Sequence, residues 1–373
     1  MIKKLTQLLT IMVIMAFAVA LTIRLVSPKI NNLPTNNEAN QKIKIVTTIY
    51  PVYMIGLNIG NQIDNIEVKS LTKMNTGCLH DYQLTTKDMK LIATADVLVI
   101  NGGGMEAFIE DVKTNYPNLK IIDASQGISM LHGHEEEHKD EHAKDGEHID
   151  DVQELNHNES SNQDNQEEIG EDSKIKESDN HEEEDHHDHG EYNAHVWLDP
   201  KLYISQIETV KNGLIEYIHE NTNKTYAISL ITAIEKNAEA YIKKVQDLDQ
   251  QIEQCSKNYK SNTKQEENGV VIFHDSFAYL AKRIGMEVAF AIDLDSDTSL
   301  SAGEVASIID VVKRDGITHL FTEQQFSDSI ARQIGQETGA KVTIIDSAVT
   351  GDGNLKSYIN SMKRNIEILS GIK

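Results

Sequence analysis

Apolar and polar positions alternate along this chain in two different rhythms, and the rhythm changes sort the chain into segments. Short runs rich in Ile and Val, bounded by turn residues, read as strands at Lys42–Thr48, Ile66–Ser70, Asp96–Ile100 and Leu119–Ala124. Between them, apolar residues at three- and four-residue steps predict helices over Val52–Ile63, Thr86–Thr94 and Glu106–Tyr116. Two longer helical stretches follow, Lys201–His219 and Lys224–Cys255; the second carries Tyr226, Leu230, Ile234, Ala238, Tyr241, Val245 and Leu248 on one face. The strand rhythm then returns at Gly269–Phe273, Met286–Phe290, Thr318–Thr322 and Lys341–Ile345, interleaved with helices at Asp275–Ile284, Ser301–Asp315, Ser327–Thr338 and Gly353–Leu369. Strand–helix alternation of this kind implies mainly parallel sheets covered by helices. The expected class is therefore α/β, with two βα lobes of about four mainly parallel strands each, joined by one long rigid helix. The expected segments are an N-terminal lobe over 42–222, a linking helix over 223–262 and a C-terminal lobe over 263–373.

Two segments break both rhythms. Residues 8–23, LLTIMVIMAFAVALTI, are uncharged and largely apolar, preceded by Lys3 and Lys4 and containing the small-residue triplet Ala18-Val19-Ala20. Residues 1–26 thus read as an export signal or an N-terminal membrane anchor, and 27–41 as a polar tether. A lipid-anchored form would need a cysteine soon after the apolar stretch, and the first is Cys78. The second break is 131–192, which holds 24 Asp and Glu, four Lys and ten His, with almost no large apolar side chain. Such a segment cannot bury enough surface to offset its chain entropy, so it is expected to be disordered. It also accounts for most of the net charge of -24, leaving the rest of the chain close to neutral. That charge balance argues against nucleic acid as a partner.

Four residues stand at strand exits or in loops that open helices: His80 in GCLHDYQLTTKD, His195 in NAHVWLDP, His274 in VVIFHDSFAYL and Asp346 in KVTIIDSAV. Ligands of open α/β sheets bind beyond the carboxyl ends of the strands, so a site between the lobes follows. Three imidazoles and one carboxylate form a complete tetrahedral set for zinc, whereas magnesium and calcium require oxygen cages. Copper and nickel also suit the set. Taken singly, a loop histidine is more often a surface or core residue, and Asp346 could equally cap the turn it opens. Cys78 and Cys255 could pair in an exported protein; a metal role for Cys78, two residues before His80, stays open beside the commoner one of a small thiol packed in the core. No GxSxG stands in the chain, the one HExxH match, HEEEH at 134–138, falls in the segment expected to be disordered and not on a predicted helix, and a fourth protein ligand would close the open position that a zinc hydrolase needs.

From Lys42 to the C-terminus the chain resembles the solute-binding proteins of zinc and manganese ABC transporters, the ZnuA/TroA-like metal-binding family (cluster A-I). The resemblance is carried by HDYQLTTKDMKLIATADVLVINGGGMEAF, NAHVWLDPK, FHDSFAYLAKRIG and FTEQQFSDSIARQIGQETGAKV followed by IIDSAV. It implies metal ligation by His80, His195, His274 and Asp346. Histidine at the third position and a histidine-rich insertion before the second ligand are features of the zinc branch. Some zinc members place a Glu beside the first histidine; Leu79 stands there here, which adds weight to Asp346. Glu323, in FTEQQ, is read as a supporting residue rather than a ligand. The implied function is capture of Zn2+ outside the cytoplasm and delivery to an ABC transporter permease, with zinc as transported ligand and no enzymatic activity. Alternatives are a manganese or other divalent-metal carrier and a surface zinc-sequestering, adhesin-like protein. Ligand imidazoles must be neutral, so affinity should fall as pH drops toward about 6.5. For the histidine-acid segment, the expectation is that it binds metal, and that it either gathers zinc at low supply and passes it to the main site or senses excess.

Overall fold

The computed structural model describes residues 42–133, 192–262, 269–292, 300–325 and 328–372. The N-terminal apolar stretch, the tether and most of the histidine-acid segment lie outside these residues. Among the described residues, no helix is long and apolar enough to cross a membrane.

The first lobe runs β1 (Ile43–Thr47), α1 (Tyr50–Ile59), β2 (Ile66–Ser70), α2 (Thr86–Ile92), β3 (Val97–Ile100), α3 (Ile109–Asn115) and β4 (Lys120–Asp123). After the histidine-acid segment come a 3-10 turn (Val196–Leu198), α4 (Pro200–Asn221) and α5 (Lys224–Asn262). The second lobe holds β5 (Val270–Ile272), α6 (Ala278–Ile284), β6 (Val288–Ala291), α7 (Ala302–Arg314), β7 (His319–Glu323), α8 (Ser329–Thr338), β8 (Lys341–Ile345) and α9 (Ser357–Ser370). Each lobe contains one four-stranded sheet, in the orders β2-β1-β3-β4 and β6-β5-β7-β8, and every pairing is parallel. The expected two-lobe α/β architecture is the one observed. Both sheets reverse direction of travel between their first and third strands, which opens a crevice at the carboxyl ends of β1 and β3 in one lobe and of β5 and β7 in the other.

Local chemistry sets the helix ends. Thr85 and Asp88 close a capping box at the start of α2, and Ser301 and Glu304 do the same for α7. Met286, read from sequence as a strand residue, instead completes the end of α6. Its N–H donates to Ala281 O at 2.9 Å behind Gly285 at φ 91°, so β6 begins later than expected. The third helix also starts later than the pattern suggested. Glu106 is turned back to accept the Asn101 and Gly102 N–H groups and is 3% exposed, so it precedes the helix rather than joining it. Similarly, Gly353 at φ 72° and the Asp352 carboxylate, which accepts Asn354 N–H, hold 351–354 out of α9.

Helix α5 spans about 58 Å at 1.5 Å per residue. Its buried face packs on α4 and on elements of both lobes, namely α1, α6 and α9. It is not the sole link between the lobes. One apolar core runs without interruption from Ile45 and Val99 to Ile272 and Ile345. Direct hydrogen bonds cross it: Trp197 Nε1 donates to Ser347 O (2.8 Å), Tyr358 OH to Trp197 O (2.7 Å) and Asn58 Nδ2 to Leu355 O (3.1 Å). Trp197 and Tyr358 are essentially inaccessible to solvent, so these bonds are made where water does not compete.

Candidate metal centre

His274 leaves β5 two residues after its last strand position in an extended conformation, φ -162° and ψ 140°, and a 3-10 turn over Asp275–Phe277 then leads into α6. Its Nδ1 lies 2.7 Å from Oε1 of Glu323, the last residue of the neighbouring strand β7. Ser276 Oγ donates to the same oxygen. Glu323 is 1% exposed. Burial works to raise its pKa, but the His274 ring and the Ser276 and Ser347 hydroxyls outweigh that and hold it below the usual range. A carboxylate at Nδ1 fixes that nitrogen as the N–H and turns Nε2 toward the crevice.

His195 reaches the same place from the first lobe. Its loop is held on the end of β3, where Asn101 Nδ2 donates to Ala194 O at 2.9 Å. Gly103 lies beside this loop at φ 67°, a left-handed conformation that favours glycine, and a Cβ there would come within 2.7 Å of the Met130 sulfur. His195 Nδ1 lies 3.0 Å from Asn193 Oδ1 and 3.2 Å from Asp275 Oδ1. Its Nε2 lies 3.2 Å from Cys78 Sγ. Asn193 in turn is bound to the second lobe, with Nδ2 donating to Asp275 O (2.8 Å) and its carbonyl accepting from Tyr279 OH (2.7 Å).

The rings of His195 and His274 are 4.8 Å apart, and those of His80 and His195 5.6 Å. Leu79 anchors the His80 loop: its side chain is fully buried and its N–H donates to Met105 Sδ. Asp275 touches the His195 ring and lies within electrostatic reach of His274 and His80. Burial alone would raise its pKa, but His195, His274 and His80 pull it far below the ordinary carboxylate range.

So of the four residues singled out in the sequence, His195 and His274 come together, and His80 stands beside them, its ring 5.6 Å from that of His195 but outside the group whose donor atoms lie within 4.8 Å of one another. Asp346 does not join them in this geometry. Its Oδ1 accepts from Gln325 Nε2 (3.0 Å) and Ala348 N–H (2.9 Å), and its Oδ2 from Arg364 Nη2 (2.8 Å). Burial raises its pKa, while the Ser361 hydroxyl, the Ala348 amide, Gln325 and Arg364 lower it further, to a net depression. Closer to the histidines stand Cys78, for which the sequence left a metal role open, and Asp275, which it did not single out. Cys78 belongs to a group with His195 and His274 in which one donor atom from each lies within 4.8 Å of the others, and Asp275 backs His195. The Asp directly after His274 was visible in the sequence, but only the 3-10 turn brings its carboxylate to the ring of a histidine 80 positions earlier in the chain. No disulfide joins Cys78 to Cys255.

This is a donor set of imidazoles and sulfur, with the buried Glu323 and the part-buried Asp275 on the outer ring nitrogens, in a crevice between two parallel sheets. The architecture is shared with solved substrate-binding proteins. FpvC from Pseudomonas aeruginosa, an SBP in complex with Ni2+, matches with a TM-score of 0.63 at 21% identity, over 88% of this chain and 96% of that one. The Zn(II)-bound ZnuA-like domain of Streptococcus pneumoniae AdcA matches with a TM-score of 0.60 at 23% identity, over 88% and 98%. In sequence, the high-affinity zinc uptake system protein ZnuA of Bacillus subtilis is 27% identical over 336 residues, 88% of this chain and 86% of the relative. The zinc-binding protein AdcA of Streptococcus pyogenes is 27% identical over 346 residues; the chain spans only 56% of that relative's length. Residues 45–371 match the family described as zinc-uptake complex component A, periplasmic (ZnuA), and the chain belongs to that family.

Proposed function

We propose that this chain is the extracytoplasmic solute-binding protein of an ABC transporter, which captures Zn2+ and delivers it to a membrane permease. The observation that carries this reading is the approach of His195 and His274 at the crevice, with the His80 ring beside His195 and with Glu323 and Asp275 fixing two of the rings. Imidazoles pre-set in one tautomer suit zinc and lower the ordering cost of binding it. Asp346 is the carboxylate the sequence offers for the fourth place; to reach zinc it has to leave Arg364, Gln325 and the Ala348 amide. The continuous core and the hydrogen bonds between the lobes support capture and release by local rearrangement, without a wide hinge opening.

The histidine-acid segment fits the same function. Its two ends are held together by an antiparallel bridge between His132 and Tyr192, and Asn193 N–H donates to Leu131 O at 2.9 Å. The segment therefore returns to the body three residues before His195, one of the proposed ligands. That placement supports a role in gathering zinc and passing it on.

The test is metal content and zinc titration of the wild type, of His274→Ala and of a variant lacking 134–189. One tight zinc that survives the deletion and is lost in His274→Ala supports the reading. Tight zinc that vanishes with the segment and ignores His274 overturns it. Unchanged zinc uptake at limiting zinc in the deletion variant would remove the transfer role alone.

A further inference from the structure

We infer that Cys78 supplies the fourth zinc ligand, its sulfur closing a one-cysteine, three-histidine site with His80, His195 and His274. The inference rests on the three-histidine reading above and specifies its chemistry. The carboxylates near the crevice stand on the wrong side of the rings to complete it: Glu323 holds Nδ1 of His274, and Asp275 holds Nδ1 of His195. Asp346 is bound to Arg364, Gln325 and the Ala348 amide. What faces the inner nitrogen of His195 is sulfur, with Cys78 Sγ 3.2 Å from Nε2.

The spacing suits a metal. Zinc bonds of about 2.1 Å to nitrogen and about 2.3 Å to sulfur place tetrahedral N and S ligands roughly 3.6 Å apart. The Cys78–His195 pair needs to open by only a few tenths of an ångström to match. Sγ and one ring nitrogen each from His195 and His274 already lie within 4.8 Å of one another, and the His80 ring, 5.6 Å from that of His195, has to move in to join them. Cys78 also shares the short loop of His80, and the fully buried Leu79 between them pins that loop to the core. On binding, the S–H bond of Cys78 breaks and a Zn–S bond forms. The proton leaves to solvent and zinc keeps its oxidation state. A thiolate ligand shifts preference toward zinc and other thiophilic ions and away from manganese and magnesium.

Cobalt(II) reports the ligand directly, because thiolate coordination adds a charge-transfer band in the near ultraviolet that imidazole and carboxylate ligands do not. The chain has two cysteines, and Cys255 is buried on the core face of α5, so the band can be assigned. The full chain loaded with one equivalent of Co2+ is expected to show the band and to lose it on adding Zn2+. Cys78→Ser removes it, Cys255→Ser keeps it, and Cys78→Ser weakens zinc binding by on the order of a hundredfold. Thermal unfolding of metal-free Cys78→Ser checks that the variant folds. Cobalt that responds to His274→Ala but shows no thiolate band overturns the role of Cys78 and leaves the histidine site standing. Cobalt indifferent to both His274→Ala and Cys78→Ser overturns the histidine reading and this inference with it.

Discussion

Replacing Glu323 by Gln isolates the contribution of a charge that never touches the metal. The carboxylate is 1% exposed, accepts from His274 Nδ1 at 2.7 Å and from Ser276 Oγ, and sits at the end of β7. Glutamine keeps the shape and one accepting oxygen. The variant thus loses charge but little packing. Without the carboxylate the imidazole is a weaker donor, and its Nδ1–H tautomer is less firmly fixed. Removal of such a partner behind a metal-bound histidine weakens binding about 10- to 100-fold, or roughly 1.4–2.7 kcal/mol. Competition against a chelator of known zinc affinity measures this on the wild type and on Glu323→Gln, with thermal unfolding of both metal-free proteins as the fold control. A zinc affinity within about twofold of wild type would refute the reasoning. So would a loss accompanied by an equal loss of metal-free stability, because the residue would then act on the fold and not on the ring.

Glu106 gives a pH-dependent stability. Burial pushes its carboxyl up to about 7 from 4.5, against the Thr48, Asn101 and Gly102 hydrogen bonds that lower it. The folded state keeps a proton that the unfolded state releases, so stability falls as pH rises from about 4.5 to about 7, by about 3 kcal/mol, and is flat above. Denaturant unfolding of wild type and Glu106→Gln across that window should show the wild type losing ground with rising pH; parallel curves would contradict it. Trp197→Phe removes the donor to Ser347 O between the lobes and leaves space in the core, and should cost about 2–4 kcal/mol in thermal unfolding. Asp346→Asn should lower stability by about 1–2 kcal/mol, through the Ala348 amide and Arg364, and leave zinc affinity within a few-fold. A loss of on the order of a hundredfold would make Asp346 a ligand.

The order of strands and helices, the parallel sheets and the long helix were legible in the sequence because each depends on local periodicity and on the connections that βα units permit. The three histidines could be singled out for a related reason: each stands in a loop opening a helix or at a strand exit, and carboxyl ends of strands face the crevice. Helix starts were misplaced where a side chain was used elsewhere, as with Glu106, whose carboxylate satisfies two backbone N–H groups of another turn. The immediate surroundings of the histidines belong to tertiary structure alone. Nothing in the spacing of Cys78, His195 and Asp275 says that a sulfur will face one nitrogen of an imidazole and a carboxylate the other, since these residues come from two lobes. Nor does the run IIDSAV reveal that Asp346 will turn to Arg364, a residue on α9 one layer away. Sequence fixes what depends on neighbours a few residues off; which of several chemically equivalent donors reaches a given point depends on how distant segments pack, and only the folded chain decides it.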